Sequence, residues 1–183
     1  AWINGRPATL SQLAALAAAL LHSAEQAWLA APADVPRPAA PAQTPGWREV
    51  RNPAQWQDIV GWVCEASEER AGAAVERAVR GAPNWAGTSP VARGDVLARA
   101  ADLLEQRGQM LMGLIVREAG KTLPNAVAEI REAVDFLRYY GQQVAERFDN
   151  ARERPLGVVL AISPWNFPLA IFCGQVAAAL AAG

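Results

Sequence analysis

Apolar side chains at Leu10, Leu13, Leu16, Leu20, Ala24 and Trp28 recur every three or four residues, the spacing that gathers them on one face of an α-helix. Thr9 or Ser11 stands where a hydroxyl oxygen can accept from the free amides of the first turn, so the pattern predicts a helix from Leu10 to Ala30. There the pattern stops. Pro32, Pro36, Pro38, Pro41 and Pro45 fall among alanines, and a stretch so poor in amide donors favours extended geometry over helix. Residues 1–30 are accordingly a helical connecting segment and residues 31–46 a proline-rich linker.

From Trp47 the period shortens. Trp47-Arg48-Glu49-Val50 and Ile59-Val60-Gly61-Trp62-Val63 have the length and composition of strands, and the Asn52-Pro53 turn between them lets them pair as an antiparallel arm. Helical spacing returns at Ala71 to Ala82, with Val75 and Val79 on one face. Ser89-Pro90 then supplies an N-cap and a first-turn proline for a helix running to Gly120, its buried stripe being Leu97, Leu104, Leu111, Leu114 and Ile115. Thr122 and Pro124 open a further helix to about Phe148, in which Val127, Ile130, Val134, Leu137, Val144 and Phe148 keep the period.

After a polar turn from Asp149 to Arg154, the run Leu156-Gly157-Val158-Val159-Leu160-Ala161-Ile162 is too short for a stable helix and rich in valine. It predicts a strand buried on both faces. Ser163-Pro164-Trp165-Asn166-Phe167-Pro168 breaks it, and an apolar helix from Leu169 to Ala182 follows. A buried strand, a tight turn and an apolar helix are the first two elements of a βαβ unit, which is how a doubly wound parallel sheet begins. The expected class is therefore α/β, with residues 47–183 as one incomplete domain: a helical layer plus the start of a Rossmann-type parallel sheet near residue 156, truncated after its first strand and helix. A strand so placed needs a neighbour or a cover for its backbone groups.

Composition narrows the functional classes. With 52% hydrophobic and 19% charged positions the 183 residues suit a packed domain, or a piece of one. Lys and Arg number 17 against 18 Asp and Glu, so no net field favours nucleic acid as a partner. Apolar runs such as Leu169 to Ala182 fall short of the roughly 20 residues that cross a bilayer, and no transmembrane segment is expected. The start, Ala1-Trp2-Ile3-Asn4-Gly5, lacks an initiator methionine and a basic leader, so it has the character of an excised segment, with the cytoplasm as the expected compartment. Cys64 and Cys173 lie far apart without histidine neighbours, which gives no metal site; His22, the sole histidine, sits in an alanine- and leucine-rich stretch as a packing or surface residue.

The turn from Ser163 to Pro168 lies at the carboxyl end of the expected parallel strand, the edge at which open α/β sheets bind ligands. Proline on either side of Trp165, Asn166 and Phe167 restricts the backbone and so the direction of the Asn166 amide, which can donate to an oxyanion. Equally, Asn166 can cap the helix that starts near Phe167. No G-x-G-x-x-G follows the strand, so the usual dinucleotide fingerprint is missing. Glu118-Ala119-Gly120-Lys121-Thr122 imitates the end of a phosphate-binding loop, but its earlier glycine would fall at Ile115; Gly120 as a helix C-cap, with Lys121 near the negative end of the dipole, accounts for it. Glu129, Glu132 and Asp135 drift around one side of their helix, mostly solvated, with Arg131 and Arg138 placed to pair with them; Glu132 is the one that can face a cleft.

Taken in order, Asn52-Pro53 before Val60-Gly61-Trp62-Val63, Glu118-Ala119-Gly120-Lys121-Thr122, Ala128 through Tyr140, and Ile162-Ser163-Pro164-Trp165-Asn166-Phe167-Pro168 resemble the aldehyde dehydrogenase superfamily. The stretch from Arg154 to Gly183 is similar, more narrowly, to the L-glutamate γ-semialdehyde (pyrroline-5-carboxylate) dehydrogenase module of the bacterial proline utilization A family. The likeness is dense from Arg51 to Gly183. It implies an NAD-dependent oxidation of that aldehyde to glutamate, FAD entering only if a fused proline dehydrogenase domain precedes this segment. Implied site residues are Asn166 as the catalytic oxyanion donor, Ile162, Ser163, Pro164 and Trp165 at the cofactor, and Glu132 and Phe167 at the substrate. Implied partners are the small aldehyde, the rest of the same polypeptide and, in the parental protein, a second copy in a homo-oligomer. Cys173 stands where that family more usually has threonine. The family's nucleophilic cysteine and general-base glutamate fall beyond the point matching Gly183, so the segment alone is expected to be inactive. A non-catalytic helical interaction or scaffold module on the same framework is the competing expectation.

Overall fold

The computed structural model describes residues 2–3, 6–7 and 47–183. The expected helix over residues 10–30, the linker over 31–46 and His22 lie outside the described residues. Trp2–Ile3 (β1) and Arg6–Pro7 (β2) form a short antiparallel pair, with Trp2 opposite Pro7 and Ile3 opposite Arg6. Trp47–Asn52 (β3) and Gln55–Cys64 (β4) follow, and then the helices Glu68–Ala86 (α1), Pro90–Gln106 (α2), Gly108–Ala119 (α3), Leu123–Arg147 (α4) and Ala170–Ala182 (α5).

The chain divides into two compact units. One comprises residues 1–63 and 107–127, the other residues 64–106 and 128–183. In the first unit β3 and β4 pair across the expected Asn52-Pro53 turn. The Asn52 side chain builds that turn: its oxygen accepts from the Ala54 amide at 2.9 Å and its Nδ2 donates to Asp58 at 3.0 Å. Asp58 is held in turn from α3, where Arg117 donates to both carboxylate oxygens, from Nε at 3.0 Å and from Nη2 at 2.6 Å. Gly120 closes α3 in the left-handed region, φ 64°, as a C-cap glycine does. A side chain there would also meet the Pro53 ring, whose Cγ lies 2.8 Å from an ideal Cβ.

The helix expected to run unbroken from Pro90 to Gly120 is two helices. Arg107, at φ −99° and ψ 9°, interrupts it, and Gly108 beyond it favours the break because glycine gains least from staying helical. The two halves keep the apolar period in phase, so the pattern hid the interruption. Leu97 and Ile115 are buried as expected, but on separate helices in separate units, while Leu104, Leu111 and Leu114 are half-buried.

The second unit packs α2, α5 and most of α4 around one core. Leu97 and Ala101 come from α2, Ile130, Ala133, Val134, Leu137 and Val144 from α4, and Ala170, Ala177 and Ala181 from α5. The α2–α4 crossing is so close at Gly94 that a Cβ there would stand 2.6 Å from the Gly141 carbonyl oxygen. Helix α1 starts one turn earlier than its apolar spacing suggested, because Ser67 Oγ accepts from the Arg70 amide as an N-cap. It buries none of its residues, Val75 and Val79 included, and is fixed to α5 by Trp85 Nε1 donating to the Leu180 carbonyl at 2.9 Å.

The expectation of a strand buried on both faces over residues 156–162 is not met. The segment has no regular secondary structure and joins no ladder among the described residues, and Leu156, Leu160 and Ile162 are largely exposed. A parallel strand is buried by neighbours on its edges and helices on its faces, so a valine-rich run encodes only the capacity for such burial. One face does lie over an apolar groove of about 400 Å³ formed with α1 and α5, where Ala78, Trp85, Val158, Val176 and Leu180 meet.

Candidate active site

The connection from residues 156–162 into α5 is short and fixed at both ends. At its start, Gln175 on α5 reaches back to donate from Nε2 to the Ile162 carbonyl at 3.1 Å. Within it, the Phe167 amide donates to the Pro164 carbonyl at 3.3 Å, closing a turn around Trp165 and Asn166. At its end, α5 begins at Ala170 after Leu169, which has no side-chain cap to offer. The free amides of Leu169 and Ala170 donate instead to one oxygen of Glu129, at 3.2 and 2.9 Å.

That arrangement bears on the capping reading of Asn166. The cap of α5 is supplied by Glu129 from another helix, so Asn166 is not the cap; it is exposed, and no hydrogen bond of its side chain occurs among the described residues. Trp165 is exposed as well, and so are Ile162, Pro164 and Phe167, while Ser163 is half-buried. The residues singled out over 162–167 thus form one largely exposed turn whose Asn166 amide is engaged by no hydrogen bond among the described residues.

Glu132 is exposed on α4, one turn beyond Glu129, in an open groove of about 580 Å³ with Arg131, Asp135, Phe136, Tyr139 and Tyr140. No hydrogen bond joins it to Asn166 among the described residues. The expected solvation of the neighbouring acids fails at Glu129, which is 2% exposed, because its carboxylate is drawn inward by the α5 amides. Arg138 pairs with Asp102 and Glu105 of α2. Each lies across the helix interface, where a long side chain reaches farther than along its own helix.

Three buried charges among the described residues were missed from the sequence, one of them the Arg117 that holds Asp58. Besides Glu129 there is Arg93, 1% exposed, which donates to the Ala181 carbonyl at 3.0 Å, the Thr88 carbonyl at 2.7 Å and Asn150 Oδ1 at 3.1 Å. Burial lowers its affinity for the proton. Of the cysteines, Cys173 is half-buried, and burial together with the Glu129 charge pushes its thiol up. Cys64 is half-buried with the Arg70 guanidinium 3.3 Å from its sulfur, a cation that the sequence gave no reason to place there.

The aldehyde dehydrogenase family model matches residues 40–183, a span that takes in the hairpin, the helices and the 163–168 turn. The chain belongs to the aldehyde dehydrogenase family. Within that family it is 56% identical over 173 residues to bifunctional protein PutA of Salmonella typhimurium, an alignment covering 94% of this chain and 13% of that protein. It is 39% identical over 144 residues to 1-pyrroline-5-carboxylate dehydrogenase of Geobacillus thermodenitrificans, covering 72% of this chain and 28% of that one. A crystal structure of the Thermus 1-pyrroline-5-carboxylate dehydrogenase with bound NAD superposes with a TM-score of 0.65 at 29% identity, over 76% of this chain and 30% of that one. The chain therefore spans a minor part of the length of these aldehyde dehydrogenase relatives. Among its described residues no helix is long and apolar enough to cross a membrane.

Proposed function

We propose that this chain is the part of an NAD-dependent L-glutamate γ-semialdehyde dehydrogenase that supplies the oxyanion donor, and that it acts only with the rest of the polypeptide. The observation that carries the reading is the exposed, unengaged Asn166 amide on a turn fixed at both ends. A donor carried on a fixed turn can meet developing negative charge with little backbone reorganisation, a contribution worth roughly 3 kcal/mol at comparable sites. The choice of aldehyde is supported by the likeness to PutA and to 1-pyrroline-5-carboxylate dehydrogenases over most of this chain.

The turn also suits one half of the dinucleotide. Ile162, Pro164 and Trp165 bring exposed apolar surface, and with Ser163 the segment offers backbone groups but no cation, so nothing in it repels the positively charged ring of an oxidised nicotinamide riboside. The diphosphate would find no seat at α5, whose leading amides are taken by Glu129. When bound, the nicotinamide supplies the hydride acceptor; the residues of this chain orient its riboside and polarise the aldehyde through Asn166, with Phe167 and Glu132 toward the substrate. Cys173 is not assigned the nucleophile, because burial and the Glu129 charge hold it as the thiol.

The test is steady-state kinetics of the intact protein with NAD and a panel of aldehydes. Asn166→Ala is expected to lower kcat about a hundredfold on glutamate semialdehyde. An unchanged kcat, or a preference for long-chain or aromatic aldehydes in the unaltered enzyme, overturns the reading. The 183-residue chain alone is expected to show no turnover.

A further inference from the structure

We propose that Glu129 is a positioning residue for the oxyanion donor: by seating the start of α5, its buried carboxylate fixes where the Asn166 amide points. The inference rests on the reading of Asn166 given above.

Helix α5 carries no charged side chain and no side-chain cap at its N-terminus. Its start is therefore not determined by its own sequence. The Glu129 oxygen that accepts from both Leu169 and Ala170 determines it, and Asn166 stands three residues upstream, inside the turn closed by Phe167 and Pro164. Because Glu129 is 2% exposed on a helix anchored in the core by Ala126, Ile130 and Ala133, its own position is as rigid as α4. The other end of the turn is tied to α5 as well, through Gln175 and the Ile162 carbonyl. A shift of the α5 start would accordingly carry the whole turn with it. Displacements of this order are costly to a donor whose value depends on alignment: about 1 Å of misplacement can lose a hundredfold in rate.

The experiment is a double-mutant cycle in the intact dehydrogenase, reading kcat and aldehyde KM for Glu129→Ala, Asn166→Ala and the double variant, beside Glu129→Gln. Removing Glu129 is expected to lower kcat at least about tenfold with KM nearly unchanged, and to add less than about twofold once Asn166 is gone, since the group it positions is then absent. Glu129→Gln keeps an oxygen that both amides can reach, and is expected to restore most of kcat. Equal fold-losses in the two backgrounds mean a general structural role and overturn the proposal, as does an unchanged kcat in Glu129→Ala. Should Glu129→Ala not fold, Glu129→Asp, one methylene short of the amides, goes through the same cycle under the same criteria. If Asn166→Ala alone leaves kcat unchanged, the oxyanion reading itself falls, an outcome distinct from the failure of Glu129 to act through it.

Discussion

The Ala170 amide donates to Glu129 at 2.9 Å across a gap of 41 residues in sequence, and the same carboxylate stands close enough to Cys173 to raise its thiol. One buried charge thus serves as a helix cap and as a local field.

The field has a chemical consequence for the two cysteines. With burial and Glu129 both opposing its ionisation, Cys173 stays protonated at neutral pH and forms thiolate only above the ordinary thiol range. Alkylation by iodoacetamide at pH 7.5, followed by peptide mass spectrometry, is expected to modify Cys64 well before Cys173. Faster labelling of Cys173 would show that its surroundings do not suppress the thiolate.

Arg93 is the second charge whose removal should be felt throughout its unit. Arg93→Met keeps the aliphatic stem but leaves the Thr88 and Ala181 carbonyls and Asn150 without their donor in a buried place. A loss of about 3 kcal/mol in unfolding free energy is expected by urea titration. A loss under about 1 kcal/mol would mean that water replaces the guanidinium readily.

In the other unit, the Asp58 carboxyl is held below its usual range first by the hydrogen bond from Arg117 and then by that from Asn52 and the Arg117 charge, against an opposing effect of burial. A carboxyl whose affinity for protons is lower in the folded than in the unfolded chain adds stability above the unfolded value of 3.8, and that stability disappears as the pH falls through the folded value. Melting temperature is therefore expected to drop as the pH falls below 3.8, and Asp58→Asn to lower it at pH 7 while flattening that acid-side slope. An unaltered slope in the variant would assign the acid sensitivity to other carboxyls.

Glycine-to-alanine changes should have opposite signs at two helical sites. At Gly94 the new methyl meets the Gly141 backbone oxygen, which cannot move without its helix, so overpacking outweighs the gain in helix propensity by about 1 to 2 kcal/mol. At Gly72 on α1 the methyl enters open space, and a gain of up to about 1 kcal/mol is expected. Thermal melts of the two variants check both signs.

Much of the architecture was legible because it is local. The Asn52-Pro53 hairpin, the Gly120 cap and the long helix over Ile130, Val134, Leu137 and Val144 each follow from signals within a few residues of themselves. The break at Arg107 was not, since an in-phase apolar stripe looks the same across one helix or two. Arg93 and Glu129 were in principle readable: Arg93 is in line with Leu97 and Ala101 at four-residue steps, and Glu129 falls between Ala126 and Ala133 on the apolar arc of α4. The charge of Glu129 led to a solvated assignment, and Arg93 was not singled out. What no local pattern could supply is the identity of their partners, which include backbone groups at both ends of α5.

Those partners make α5 a helix delimited from outside. Its first amides are met by a side chain 40 and 41 residues earlier, and its last turn, through Ala181, by one 88 residues earlier. Contacts of such separation form only after long loops have closed. In folding, then, the register of α5, and with it the turn bearing Asn166, is settled late, by a scaffold of α2 and α4 that must already be in place.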